Sequence, residues 1–184
     1  MKAMILAAGY GKRMMPLTEN LPKPLLKIGN ESLIERNINA LLAAGFNDII
    51  INISYLGSMI KKHVLEIFPN ANISFSEEEI PLGTGGGVLN AIRLLGKDPF
   101  LLINADIYHQ INLKDLEQDV DIAHLVGVEN PDHNADGDFS LNSNVVSIKN
   151  NLNECTWSGI SIINPKIFDG LKIEDAPFDI WKSI

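Results

Sequence analysis

The segment Leu6-Ala7-Ala8-Gly9-Tyr10-Gly11-Lys12-Arg13-Met14-Met15-Pro16-Leu17-Thr18 joins small residues to two adjacent bases, a pattern suited to holding phosphate. Small residues let backbone N–H groups approach an anion, while Lys12 and Arg13 neutralise its charge. A strand-to-helix turn also needs glycine for its own geometry, so Gly9 and Gly11 serve either purpose. A dinucleotide fingerprint would require Gly where Met14 stands. A P-loop would require Gly at Leu6 and Ser or Thr at Arg13, so neither motif fits. Pro22-Lys23-Pro24 follows, and prolines on both sides restrict the backbone so that Lys23 loses little freedom on binding a ligand, although an exposed lysine between prolines is by itself usually just solvated.

Two further segments could complete such a site. In Pro81-Leu82-Gly83-Thr84-Gly85-Gly86-Gly87 the missing Cβ atoms would let a flat ring lie against the backbone, although a glycine cluster also makes a flexible turn. Leu102-Ile103-Asn104-Ala105-Asp106 puts a carboxylate at the C-terminal end of an apolar run, the edge where open α/β sheets bind ligands. Aspartate there also serves as a helix cap or turn former. Asp132, His133, Asp136 and Asp138 fall in ENPDHNADGD, whose texture is turn chemistry before it is a transition-metal site. His63, His109 and His124 are scattered and lack a nucleophile partner. Cys155 is the sole cysteine, which excludes an intramolecular disulfide and a cysteine-based zinc cluster and fits a reducing, cytosolic home.

The elements that must position these groups alternate between strand and helix, the pattern of a parallel sheet covered by helices. Lys2–Leu6, Ile49–Ile53 and Phe100–Ile103 are apolar runs of the length that buried central strands prefer. Over Ser32–Ala44, Leu33, Ile34, Ile38, Leu41 and Leu42 share one helical face, with Ser32 as N-cap and Gly45 just past the end. The spacing predicts further helices over Leu56–Phe68 and Gly86–Leu95, and a less buried strand over Ala71–Ser76. Asp121–Val128 reads as a strand, Phe139–Leu141 and Val145–Lys149 as a hairpin around Asn142-Ser143-Asn144, and Cys155–Ile163 as another strand. Asp179–Ile184 reads as the first turns of an amphipathic helix.

With 184 residues, 46% of them hydrophobic and 21% charged, one domain with a substantial core is expected. Fifteen Lys and Arg against 23 Asp and Glu give a net charge of −8, a poor match for nucleic acid or an anionic membrane. The first fifteen residues hold too short an apolar run for a signal peptide or a membrane span.

The string LAAGYGKRMMPLTENLPKPLLKIGNESLIE, Leu6 to Glu35, resembles almost position by position the signature of sugar-phosphate nucleotidylyltransferases. Such enzymes join a nucleoside triphosphate to a sugar 1-phosphate and release pyrophosphate. PLGTGGG and LINAD look like the family's second glycine-rich segment and its metal-binding strand end, with Ala105 where Gly is usual. Asn52, the triple glycine 85–87, Asn104 and the stretch Ala123–Phe139 are similar to the branch that uridylylates N-acetylmuramate 1-phosphate.

The resemblance implies a Rossmann-like α/β fold, a mixed and mainly parallel sheet flanked by helices. It implies that Leu6, Ala7, Ala8, Gly9, Gly11, Asn52, Gly83 and Thr84 surround the nucleotide. Arg13 and Lys23 would be catalytic, binding the triphosphate and the reacting phosphate. Gly86, Asn104, Trp157, Ser158 and Gly159 would face the sugar, although Trp157 taken alone reads as ordinary core. Asp106 would hold Mg²⁺. Thymidylyl, guanylyl and cytidylyl transfer, and a nucleotide-sugar-binding domain without turnover, stay open as alternatives. Relatives carry a second metal-binding aspartate, followed by glycine, on a strand beyond the helix that starts near Asp179. These 184 residues have no such motif, so the expectation is a single domain lacking the family's C-terminal helix and strand. The expected partners are small-molecule substrates, with no nucleic acid, no membrane and an oligomeric state left open.

Overall fold

The computed structural model describes residues 1–116, 119–143, 145–148 and 152–178. In chain order the elements are β1 (Ala3–Leu6), the small hairpin of β2 (Lys27–Ile28) and β3 (Glu31–Ser32), α1 (Leu33–Ala43), β4 (Asp48–Ile53), α2 (Gly57–Ile67), β5 (Asn72–Glu77), α3 (Gly83–Leu95), β6 (Phe100–Asn104), β7 (Ala123–Val128), β8 (Ser140–Asn142), β9 (Val145–Ser147) and β10 (Thr156–Ile163). Among the described residues the main sheet has the order β5-β4-β1-β6-β10-β7. Its β5, β4, β1 and β6 are parallel, and β10 runs antiparallel to both β6 and β7.

The apolar runs read as central strands are central because both of their faces are covered. On one face Ala3, Ile5, Ile49 and Ile51 pack in a cluster with Ile34, Ile38 and Leu41 of α1 and Ile60 and Val64 of α2. On the other, Met4, Ile50 and Leu102 meet Val88, Ala91 and Leu95 of α3. Alternate residues of one strand therefore feed two cores, which is why β1 shows no polar alternation. Each fully buried Ile or Leu contributes about 1.5–3 kcal/mol.

Helix α1 begins with a capping box: the Glu35 N–H donates to Ser32 Oγ at 3.3 Å while the Glu35 carboxylate accepts from the Ser32 N–H. Helix α3 starts at Gly83, three residues earlier than periodicity predicts, so Gly83, Thr84 and Gly85 join it, and Gly85, Gly86 and Gly87 are buried. The hairpin and the last strand follow the sequence pattern, while the helix expected from Asp179 lies outside the described residues. No helix among the described residues is long and apolar enough to cross a membrane.

The chain moves outward from β1 to β4 and β5, then returns through α3 to β6 on the other side of β1. This reversal opens a crevice at the carboxyl ends of the strands. Register sets Leu6 level with Asn52 on one neighbour and Asn104 on the other, so three of the expected site residues share one edge.

Candidate functional site

At that edge lies a cleft of about 430 Å³, lined by Leu6, Ala7, Ala8, Gly9, Gly11, Arg13, Lys23, Asn52, Gly83, Thr84, Asn104 and Asp106 among others. The backbone leaves β1 at Ala7, whose N–H donates to Asn52 Oδ1 at 2.8 Å. Asn52 Nδ2 in turn donates to Glu78 Oε1 at 2.6 Å, and the Leu82 N–H donates to Glu78 Oε2 at 2.9 Å. One chain of buried groups thus ties the first turn to the glycine-rich segment. Burial pushes the Glu78 carboxyl above its ordinary range, and the hydrogen bonds from Leu82 and Asn52 offset only part of that.

Past Ala8 the loop is open. A Cβ on Gly9 would meet no protein atom within 4 Å, whereas Gly11, with φ +64°, would bring one to 3.1 Å from Thr18. A short 3₁₀ turn, Lys12–Met14, then holds Lys12 and Arg13 exposed beside the cleft. Lys23 begins a second 3₁₀ turn anchored by buried Pro24 and Leu25, and its Nζ meets Asp106 Oδ2 at 2.5 Å. Both side chains keep roughly a quarter to a third of their surface in solvent, 24% and 33%. Buried Asn37 of α1 donates to the carbonyls of Ala105 and Ile107 at 3.2 and 3.3 Å and so fixes the turn that presents Asp106.

The arrangement can bind a polyphosphate: open backbone at Gly9, cations at positions 12, 13 and 23, and a carboxylate across from them. Asp106 also fits magnesium, a hard ion that takes one or two protein carboxylates and completes its shell with phosphate oxygens and water. Among the described residues no three His, Cys, Asp or Glu side chains cluster as an all-protein metal cage.

The residues expected on the sugar side, Gly86, Trp157, Ser158 and Gly159, do not line this cleft. Gly86 is buried in α3, where a Cβ would stand 2.9 Å from those of Ala176 and Leu82; close packing of the helix requires glycine there. Trp157 packs on the core under α3, and its indole N–H donates to the Ile160 carbonyl at 3.1 Å. Ser158 Oγ accepts from the Ile160 N–H at 3.2 Å. Gly159, φ +89°, occupies an irregularity of β10, where a Cβ would come 2.9 Å from Asn104 Nδ2. Gly159 therefore packs directly behind a residue of the cleft.

Glu78 and Asn37 were missed by sequence reasoning. Glu78 sits in the run Glu77-Glu78-Glu79, which reads as a solvated charge cluster, and only the continued strand alternation from buried Ser76 signals that it points inward. His63 has a neighbour after all: its Nε2 lies 3.0 Å from Glu35 Oε1 and 3.3 Å from Ser32 Oγ. Both contacts use one nitrogen, and Ser32 is fully buried as the α1 cap, so this is an anchor between α1 and α2 and has no triad geometry. Asp138 accepts from the Trp157 N–H at 2.8 Å and from Asn134 Nδ2 at 3.0 Å, bonds that hold its own loop.

A family model described as nucleotidyl transferase matches residues 2–126, the part of the chain that carries every cleft residue named above. The chain belongs to the nucleotidyl transferase family. It is 43% identical over 94% of its length to the N-acetylmuramate alpha-1-phosphate uridylyltransferase of Neisseria meningitidis serogroup B, of which it covers 79%. Identity to the mannose-1-phosphate guanyltransferase of Schizosaccharomyces pombe is 34% over the whole chain, which spans 54% of that protein. Among solved structures, HddC from Yersinia pseudotuberculosis complexed with GMP-PN superposes with a TM-score of 0.76 at 29% identity, covering 97% of this chain and 82% of that one. A UDP-glucose pyrophosphorylase complexed with UDP-glucose shares the fold, with a TM-score of 0.73 at 22% identity over 100% of this chain and 85% of that one.

Proposed function

We propose that this protein transfers the uridylyl group of UTP to N-acetylmuramate 1-phosphate and releases pyrophosphate. The observation that carries this reading is the convergence of the Arg13 loop, Lys23 and Asp106 on one cleft at the sheet's reversal point. The 43% identity to a uridylyltransferase favours uridine and muramate among the family's substrates.

No protein nucleophile is needed. An oxygen of the sugar phosphate attacks the α-phosphorus in line, forming the new P–O bond as the bond to the bridging oxygen breaks and pyrophosphate leaves. Catalysis then rests on positioning and charge neutralisation. Lys23 neutralises charge growing at the α-phosphate, and Arg13 with the 9–11 backbone holds the leaving pyrophosphate. Asn52 and Glu78 keep the two segments around the base in place. Asp106 would hold Mg²⁺, which would supply Lewis-acid neutralisation of phosphate oxygens when bound. A cytoplasmic location and a place in cell-wall recycling belong to the same reading.

Guanylyl transfer is the second reading, favoured by the guanyltransferase relatives and by the structure complexed with GMP-PN. A panel of four nucleoside triphosphates against muramate, glucosamine, glucose and mannose 1-phosphates, the first two N-acetylated, read by pyrophosphate release, separates the two. UTP with N-acetylmuramate 1-phosphate is expected to give the highest rate. A higher rate with GTP and mannose 1-phosphate would move the protein to the guanylyl branch, and no release with any pair would overturn the activity.

A further inference from the structure

Tyr55 belongs to none of the motifs above and does not line the cleft, yet it touches the phosphate loop near both of its ends. Its hydroxyl donates to the carbonyl of Glu19 at 2.7 Å, with that of Thr18 next nearest at 3.3 Å. Its ring packs on Tyr10, centroids 5.4 Å apart and planes tilted by 52°. Between those contacts the loop closes on itself, because Thr18 Oγ1 donates to the Gly11 carbonyl at 2.8 Å. The 3₁₀ turn bearing Lys12 and Arg13 lies inside this closed stretch, and Lys12 Nζ stands 5.0 Å from the centre of the Tyr10 ring.

We propose that Tyr55 is a positioning residue, a clasp that preorganises the 10–19 loop so that Lys12 and Arg13 meet the triphosphate without first being ordered. The inference rests on the nucleotidyl-transfer reading of the cleft. The loop needs such a device: it has no strand partner, and Met15 and Leu17 are half or more exposed, at 50% and 64%. A loop with so little burial holds its shape only through hydrogen bonds and the contacts at its ends, and a loop ordered by the ligand weakens binding. The turn presenting Tyr55 is itself constrained. Leu56 takes a left-handed φ of 52°, and Gly57 sits so close to β4 that a Cβ would stand 3.0 Å from that of Ile53. Non-glycine residues hold that conformation only where their surroundings fix it.

Tyr55→Phe keeps the ring and removes the hydroxyl donor; Thr18→Val removes the second tie and Thr18→Ser retains it. A neutral hydrogen bond corresponds to about a fivefold change in an equilibrium. Tyr55→Phe and Thr18→Val should each raise the KM for UTP about five- to tenfold while leaving the KM for the sugar 1-phosphate unchanged, and Thr18→Ser should keep the parent KM. A merely structural role would lower the active fraction, and hence kcat, with both KM values unmoved; that result overturns the clasp. An activity-free readout keeps this test separate from the proposed function. The amides of Met14, Leu17 and Glu19, which are bonded within the loop, should exchange hydrogen about fivefold faster in ligand-free Tyr55→Phe than in the parent. Saturating inorganic pyrophosphate should restore their protection. If the parent turns over no substrate pair, the function has failed, and the clasp then stands or falls on the exchange. Equal exchange in parent and variant overturns it.

Discussion

Lys23 and Asp106 neutralise one another across the cleft, so in the proposed mechanism a triphosphate that engages Lys23 draws the pair apart and frees the carboxylate for a cation. Glu78 lies at the other end of the cleft in a different condition, buried and held above the usual carboxylate range. Because its folded value is raised above the ordinary value of 4.5, the folded protein binds more protons than the unfolded one between those two values. The burial penalty is therefore absent below the ordinary value and fully present above the raised one. Stability contributed through this group falls as pH rises across that window. Chemical denaturation of parent and Glu78→Gln between pH 4 and 8 should show the parent losing stability relative to the variant as pH climbs. A difference that stays flat or runs the other way would rule out a buried, raised carboxyl. Arg13, Lys23 and Asp106 line one cleft, and the sequence pointed to them through the family resemblance, since residue type alone left a surface base, a solvated lysine and a helix cap equally open. Glu78 was not legible, since its meaning comes from the side of β5 on which it falls.

Helix α3 adds a packing role to the residues expected at its start. The triple glycine reads as a surface for flat rings, yet Gly85, Gly86 and Gly87 form a buried helical turn. A Cβ on Gly87 would lie 2.6 Å from Asn52 Nδ2 and 2.9 Å from Glu78 Oε1, the two groups that tie the halves of the cleft together. Gly87→Ala sets a gain in helix propensity of about 1 kcal/mol against overpacking of about 1–3 kcal/mol. Overpacking should win, because Asn52 and Glu78 are each held by two hydrogen bonds and have little room to yield. Urea unfolding should therefore show net destabilisation together with weaker UTP binding by titration, and a more stable variant with unchanged affinity would refute the packing argument. The strands of the main sheet and the other two helices were legible because their apolar patterns are sustained and α1 has a cap at one end and a glycine at the other, whereas the two-residue strands β2 and β3 are too short to show a period. The start of α3 was not legible, because Gly83 and Gly85 are poor helix formers that lie against the backbone of Phe178, whose carbonyl accepts from the Gly85 N–H at 3.0 Å.

At the level of the whole molecule, the order of strands decides where chemistry can occur. The return from β5 to β6 opens the edge beside β1, and register brings Leu6, Asn52 and Asn104 to one level there. That architecture follows from alternating elements and was open to sequence reading. The irregular pairing of β10 with β7, which sets Gly159 against Asn104 of the cleft, was not. The proposed reaction at this edge is metal-dependent nucleotidyl transfer with Asp106 as the carboxylate. Pyrophosphate release from UTP and N-acetylmuramate 1-phosphate, measured with and without Mg²⁺ for the parent and for Asp106→Asn, tests it most directly. The parent should require the metal, and the variant should lose about 10²–10³ in rate with an unchanged circular dichroism spectrum. Equal rates in parent and variant, or turnover by the parent in the presence of a chelator, would contradict it.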